Sequence, residues 1–528
     1  MFRVINRRRF LQTSLAATAS IGVSTIRASA SKSENNVEAI VIGSGFGGAV
    51  AALRLAQAGI ETIVLERGRR WVITDAGDTF CTYEKPDGRS TWLSPTTVVF
   101  NQVPIDVYTG VLDIKVGDGI NVYRGAGVGG GSLVYNGVTY QPTRENFYKA
   151  FPRSIDYDEL DRIYYPRVRS ILKPSPIPDD ILQTKYYLAA RTFLEQAAKA
   201  NLKASKLDMN INWDIVRQEI TGQKVPSAIT GQVYYGINSG AKNSLDRNYL
   251  SMAEATGKAK ILPLHVVTEI EELNRKSFRI ICNQINEQGT VIAQKTFTCR
   301  YLFLAAGSIG TTELLLRAKY NGKLRRLNDN VGMNWGTNGD AVGAVITTGQ
   351  TNPTQGGPAV GVIEDFNNPI APIVIEQLPF PIVPEGVYAA LSQGITLPEG
   401  KLTYNPKTNS ADLFWPRDSE NNQKIAQAYL STYQKLNQAN GTTLAQPLDF
   451  TSTAHPLGGA TIGSVCNSRM RVRGYANLFV VDGAFVPGST ACTNPSLTIA
   501  ALAERCMDNF LNKTRYLRDS DVELQKEI

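Results

Sequence analysis

The sequence predicts an α/β fold in two parts, a dinucleotide-binding sheet and a sheet-rich cap, on three observations. A glycine-rich turn follows an apolar strand near the start of the chain, in Val37-Glu38-Ala39-Ile40-Val41-Ile42 and then Gly43-Ser44-Gly45-Phe46-Gly47-Gly48. A second apolar strand, Tyr301-Leu302-Phe303-Leu304, runs into another tight turn and a helix, which returns the chain to the same sheet. Residues 340–445 break into short apolar runs separated by Pro, Gly and Asn, the pattern of a sheet with many turns.

Each element has a physical reason. The turn at Gly43 opens the helix Ala49–Ala58, and Thr62-Ile63-Val64-Leu65 forms the next strand, ending at Glu66. Gly43 allows the tight turn, Gly45 lets the backbone approach a pyrophosphate, and Gly48 lets the helix pack on the strand. The helix N-terminus adds free N–H groups and the positive end of a dipole. Glu66 stands 23 positions after Gly43, where a carboxylate can hold a ribose diol. Gly43, Gly45, Phe46, Gly47, Gly48 and Glu66 are therefore candidate cofactor contacts.

Residues 71–122 read as an irregular excursion rich in Gly, Pro, Asp and Thr. The run Arg124-Gly125-Ala126-Gly127-Val128-Gly129-Gly130-Gly131-Ser132-Leu133-Val134 follows. Each glycine costs backbone entropy, and the run lacks the polar residues of a linker, so backbone pressed against a flat ring explains it best. Residues 143–203 carry apolar positions at helical spacing, and 259–270, 278–282 and 297–303 read as strands. A helix is expected near Ile425–Asn437. The strand Asn477–Val481 then runs into Asp482-Gly483, and a helix covers Ser496–Leu511. The expected organisation is a discontinuous cofactor domain over 37–150, 235–338 and 446–515, with a cap over 151–234 and 339–445.

The formal charge of +8 does not argue for nucleic acid. Arg3, Arg7, Arg8, Arg9 and Arg27 lie in the first thirty residues, which hold no acid, and they leave +3 for the rest. Arg7-Arg8-Arg9-Phe10-Leu11, a weakly apolar stretch and Ala28-Ser29-Ala30 match a twin-arginine signal peptide over 1–30. That predicts export of an already folded protein to the periplasm or beyond. Six scattered cysteines with no CxxC pair argue against a metal site and read as buried thiols, with one disulfide in an exported protein as the alternative. Only two histidines are present. His265 sits in an alternating strand and reads as structural. His455, in the irregular Thr453-Ala454-His455-Pro456-Leu457-Gly458-Gly459, is a candidate base.

The order of these motifs resembles that of the glucose-methanol-choline (GMC) oxidoreductases, and within them the bacterial cholesterol oxidases. The resemblance rests on Val128–Val134, Val331–Gly336, His455–Gly459 and Asn494–Arg505. It implies non-covalent FAD in a Rossmann-like domain, since the glycine run offers no histidine for a covalent link. The expected contacts extend to Gly129, Gly130, Gly131, Ser132, Asn136, Val138, Val267, Asp482, Gly483, Pro495 and Ser496. It further implies that His455 takes the substrate hydroxyl proton, that Asn494 binds the same oxygen, and that Glu376 moves a proton during double-bond isomerisation. The expected activity is oxidation of a sterol or other bulky secondary alcohol, with oxygen as acceptor and peroxide as product. A dehydrogenase passing electrons to a quinone or carrier is the alternative, and a flavin lyase a remoter one. A monomer touching membrane surfaces transiently is expected. The chain departs from the oxidases at Tyr135-Asn136-Gly137-Val138, at Leu378–Tyr388, and at Ser489–Asn494, which is one residue longer.

Overall fold

The computed structural model describes residues 35–99, 102–445 and 448–526; the expected signal peptide over 1–30 lies outside them. One sheet has seven strands, in the order Ala259–Leu262, Thr62–Leu65, Asn35–Ile42, Val291–Leu304, Ser277–Ile285 and His265–Asn274, with Leu478–Val480 also on Val291–Leu304. The strands Asn35–Ile42, Thr62–Leu65, Ala259–Leu262 and Leu478–Val480 join it in parallel. Parallel strands need crossovers that cover the faces, so they are buried and read as continuous apolar runs. Ala39, Ile40, Val41, Leu302, Phe303 and Leu304 accordingly have no exposure.

The helix Phe46–Gln57 packs on this sheet and starts three residues earlier than its sequence pattern suggests, so Gly47 and Gly48 lie inside its first turn and Gly45 is its N-cap. Gly47 shows why they must be glycines. A Cβ there would sit 1.5 Å from the Val481 carbonyl oxygen, so the helix crosses the end of the strand Leu478–Val480 at a distance only a bare backbone permits. The long helix Pro495–Lys526 packs on Phe46–Gln57 and carries the predicted helical stretch at 496–511.

A second sheet of six strands forms the cap, ordered Thr443–Leu444, Ala341–Ile346, Val387–Gly394, Ile373–Leu378, Gly361–Asp365 and Lys203–Lys206. Its last strand begins where the expected helical stretch over 143–203 ends. The helix Glu420–Asn440, capped by Ser419, covers one face, burying Ile425, Tyr429, Tyr433 and Leu436. The excursion at 71–122 is not wholly irregular, because Leu112–Val116 pairs antiparallel with Asn121–Gly125. Among the described residues no helix is long and apolar enough to cross a membrane. All six cysteines are free and buried.

Candidate active site

The two glycine segments, far apart in sequence, meet. A Cβ on Gly130 would fall 2.8 Å from the Gly45 Cα. Ser44 ties the joint: its Oγ donates to Glu66 at 2.6 Å and accepts from the Gly129 N–H at 3.1 Å. Glu66 also accepts from the backbone N–H groups of Ser44 and Gly68. Burial pushes its carboxyl above the usual range, against the lowering effect of the Ser44 hydroxyl, those N–H groups and Arg67. Ser44 lies within the turn motif, yet its role as the fastener depends on contacts with residues 85 positions away, which no local pattern shows.

The cradle above this joint is open. A Cβ on Gly45 or on Gly131 would meet nothing within 4 Å. The helix Phe46–Gln57 has no side-chain cap, so its first N–H groups remain for a ligand. Bare backbone, free helix donors and a ribose-side carboxylate fit a dinucleotide diphosphate. Ser132 is occupied internally, donating to Gly129 O and accepting from Leu245 N. Asp482 is likewise engaged, by Gly307 N, Thr311 Oγ1 and Ala484 N. Burial holds Asp482 at about 6 despite the Thr311 hydroxyl and those N–H groups. Val267 lies in the strand His265–Asn274, against the edge of the main core. Ser496 Oγ donates to Val138 O at 2.8 Å, joining the first turn of Pro495–Lys526 to the segment after the glycine run.

The departure at residues 135–138 is built into the site. Tyr135 packs edge-on against Phe46 with ring centroids 5.5 Å apart. The buried Lys242 Nζ donates to the carbonyls of Leu133, Tyr135 and Val233 at 3.0, 2.7 and 3.1 Å. Among the described residues no carboxylate pairs with it, and burial pulls its pKa down to about 7. Asn136 hydrogen-bonds Tyr234, whose hydroxyl donates to Pro379 O and whose ring stacks on Phe380. The two departures, at 135–138 and after Leu378, are thus linked through one tyrosine.

His455 is placed by a loop clamped on both sides. Leu457 exchanges backbone bonds with Gly336, and Gly458 N donates to Gly483 O at 2.8 Å. Gly458 has φ +94°, and a Cβ there would lie 2.0 Å from Asn334 O. His455 Nδ1 meets Asp340 Oδ1 at 2.8 Å, while Asp340 Oδ2 accepts from Thr453 Oγ1 and Ala454 N. Asp340 did not stand out in the sequence, since a single acid beside Gly339 carries no signal. Burial alone would pull His455 down, but the Asp340 charge and hydrogen bond outweigh it, helped by Glu376, so its pKa stands above the usual value. An imidazole held through Nδ1 presents Nε2 as its proton-accepting atom. His265, by contrast, sits in the strand His265–Asn274 with its Nδ1 2.7 Å from Pro263 O.

Glu376 lies in Ile373–Leu378, where Glu376 pairs with Leu391, Leu378 with Ala389, and Leu391 with Val342 on the next strand. Strand alternation puts these side chains on one face. Glu376 therefore heads an apolar patch of Leu378, Ala389, Leu391, Val342 and Phe380. It is 1% exposed, so it does not point to solvent. Asn494 Nδ2 donates to its Oε2 at 3.2 Å. Asn494 directly precedes the helix at Pro495, where an asparagine normally caps the helix with its Oδ1. Here that Oδ1 is buried without a partner, as are Glu376 Oε1, Asn136 Oδ1 and both amide atoms of Gln393, which shares the Glu376 face. Buried polar atoms of this kind ordinarily find partners, so the adjacent pair at Asn494 and Glu376 marks a place for a polar ligand. Gln393 also escaped the sequence reading.

Burial pushes Glu376 up to about 7, although Asn494 and the His455 charge pull it down. A carboxyl raised in the folded state contributes full stability at low pH and loses it as pH rises from 4.5 through about 7. Glu376→Gln should therefore melt like the parent at pH 4.5 and be more stable at pH 8, by about 3 kcal/mol. Equal melting at both pH values would mean that Glu376 titrates normally.

Family models described as GMC oxidoreductase match residues 37–335 and 411–503. The cholesterol oxidase of Mycobacterium tuberculosis (strain ATCC 25618 / H37Rv) is 26% identical, covering 90% of this chain and 91% of its own. That of Acinetobacter baumannii is 25% identical over 89% of this chain and 93% of its own. The solved structure of pyridoxine 4-oxidase from Mesorbium loti superposes with a TM-score of 0.62 at 16% identity, covering 90% of this chain and 99% of that one. A fungal aryl-alcohol oxidase gives 0.63 at 13% identity, covering 91% and 100%. Both share the fold.

Proposed function

We propose that this chain, which belongs to the GMC oxidoreductase family, oxidises a sterol-like, bulky hydrophobic secondary alcohol to its ketone. It is a flavoprotein using FAD and an oxidoreductase acting on alcohol-type groups. The observation that carries the finer reading is the meeting of a His455–Asp340 pair, Asn494 and Glu376 at the head of an apolar sheet face. Gly43–Gly48 and Gly129–Gly131 would hold the FAD, which supplies the acceptor for the carbinol hydride.

The chain's own groups do the rest. His455 Nε2 takes the hydroxyl proton, because hydride leaves readily only as the oxygen gains alkoxide character. Asp340 fixes the ring and stabilises the imidazolium that results. Asn494 bonds the same oxygen, with Glu376 holding its amide. Leu378, Ala389, Leu391 and Val342 take the hydrocarbon and keep water out. Glu376, held near neutrality, is suited to moving a proton in a subsequent double-bond shift. Oxygen is the proposed acceptor, with hydride and hydroxyl proton ending together in hydrogen peroxide. Export by the twin-arginine route, a monomeric state and brief contact with membranes as the source of substrate complete the proposal.

The test is anaerobic addition of cholesterol to the holoenzyme while the flavin band is followed, then admission of air. Bleaching followed by recovery with peroxide is the expected result. Bleaching without recovery would assign the electrons to another acceptor, and no bleaching would remove cholesterol as substrate.

A further inference from the structure

The resemblance implies a turn one residue longer before Asn494, which should displace that side chain, yet Asn494 reaches Glu376. The turn holds two successive non-glycine residues in the left-handed region, Ala491 at φ 66° and Cys492 at φ 62°. That conformation costs roughly 1–2 kcal/mol per residue, so the surroundings must impose it. Thr490 and Thr493 exchange hydroxyl-to-carbonyl bonds at 2.6 and 2.7 Å, and Cys492 Sγ donates to Pro372 O at 3.1 Å.

A further constraint is Asn338, fully buried and itself at φ 61°. Its Oδ1 accepts from Thr490 N at 2.8 Å and from Ser489 Oγ at 3.4 Å. Its Nδ2 donates to Thr493 O at 2.9 Å, and its backbone N–H to Gly488 O at 3.0 Å. One amide therefore grips the turn at both ends. Two residues on, Asp340 grips His455. We propose that Asn338 is a positioning residue that sets Asn494 against His455, so that the longer turn does not misplace the oxygen-binding amide. This rests on the reading of His455 and Asn494 as the two groups flanking the substrate hydroxyl. Misplacement by about 1 Å can cost about 100-fold in rate, so a residue that touches no substrate can govern turnover.

The test is a double-mutant cycle on the holoenzyme. Its readouts are the kcat and KM of cholesterol, or of whichever bulky secondary alcohol from a panel reduces the enzyme, with bound FAD and melting temperature. Asn338→Gly deletes the amide while tolerating the left-handed backbone. It should lower kcat at least about tenfold with KM and FAD content little changed. Asn338→Asp, which keeps the acceptor to Thr490 and loses the donor to Thr493, should fall between, and it serves as the cycle partner if the glycine variant does not fold. Combined with Asn494→Ala, the Asn338 variant should add no further loss. An additive loss, or a fall in FAD content that accounts for the lost turnover, overturns the role of Asn338. Full turnover in Asn494→Ala alone defeats the underlying reading, and then any loss from Asn338→Gly must act elsewhere, which overturns the inference too.

Discussion

His455→Ala should retain FAD and lose turnover by about 100- to 10,000-fold, the range a positioned base contributes. Retention is expected because the imidazole contacts Asp340 and the fold around it, while the cradle is built from Gly43–Gly48 and Gly129–Gly131. The loss should appear in the rate of anaerobic flavin bleaching, which isolates the reductive step from the choice of acceptor. Asp340→Asn tests the other half of the pair. The base works only when neutral, so activity in the parent should rise with pH through the raised pKa of His455. Removing the carboxylate removes what raises it, so the acid limb should move to lower pH while the plateau falls, because the ring is no longer held in one tautomer. A bleaching rate within tenfold of the parent in His455→Ala, or an acid limb that stays in place in Asp340→Asn, would remove the base role from this pair.

What the sequence made legible was local. Gly43–Gly48, Glu66 and the strand Thr62–Leu65 lie within one continuous segment, and buried parallel strands announce themselves as apolar runs, so the nucleotide half could be read. His455 was visible because histidine is scarce and this one stands in a glycine-rich loop. Asp340, Gln393 and Asn338 were not, because each owes its place to cross-strand register or to a turn more than a hundred positions away. The strand Lys203–Lys206 was hidden for a related reason. Its pattern is weak, and the edge of the cap sheet at Gly361–Asp365 recruits it. Glu376 lies between these cases: the apolar run around it was plain, but only the pairing with Leu391 and Val362 shows which face it takes.

The glycine cradle yields the largest structural effect, and two neighbouring substitutions should separate folding from cofactor binding. In Gly47→Ala the new Cβ meets the Val481 carbonyl oxygen at 1.5 Å, and both partners are backbone, so no rotamer relieves the contact. The helix Phe46–Gln57 must part from the strand end, which should cost about 4 kcal/mol or more and leave little folded protein. Gly45→Ala is the contrast. Gly45 has φ −70°, an ordinary value for alanine, and its Cβ would enter space where no protein atom lies within 4 Å. The apoprotein should therefore melt within about 1 kcal/mol of the parent, since alanine is only a poorer helix cap than glycine. That empty space is where the diphosphate must approach bare backbone, so FAD affinity should fall at least about tenfold. Melting of the apoproteins with and without FAD, beside titration of FAD fluorescence, reads both effects. If Gly45→Ala bound FAD as tightly as the parent, the cradle between Gly45 and Gly131 would not be where the diphosphate lies. If Gly47→Ala folded normally, the close crossing of helix and strand would have to be looser than the contact at Val481 requires.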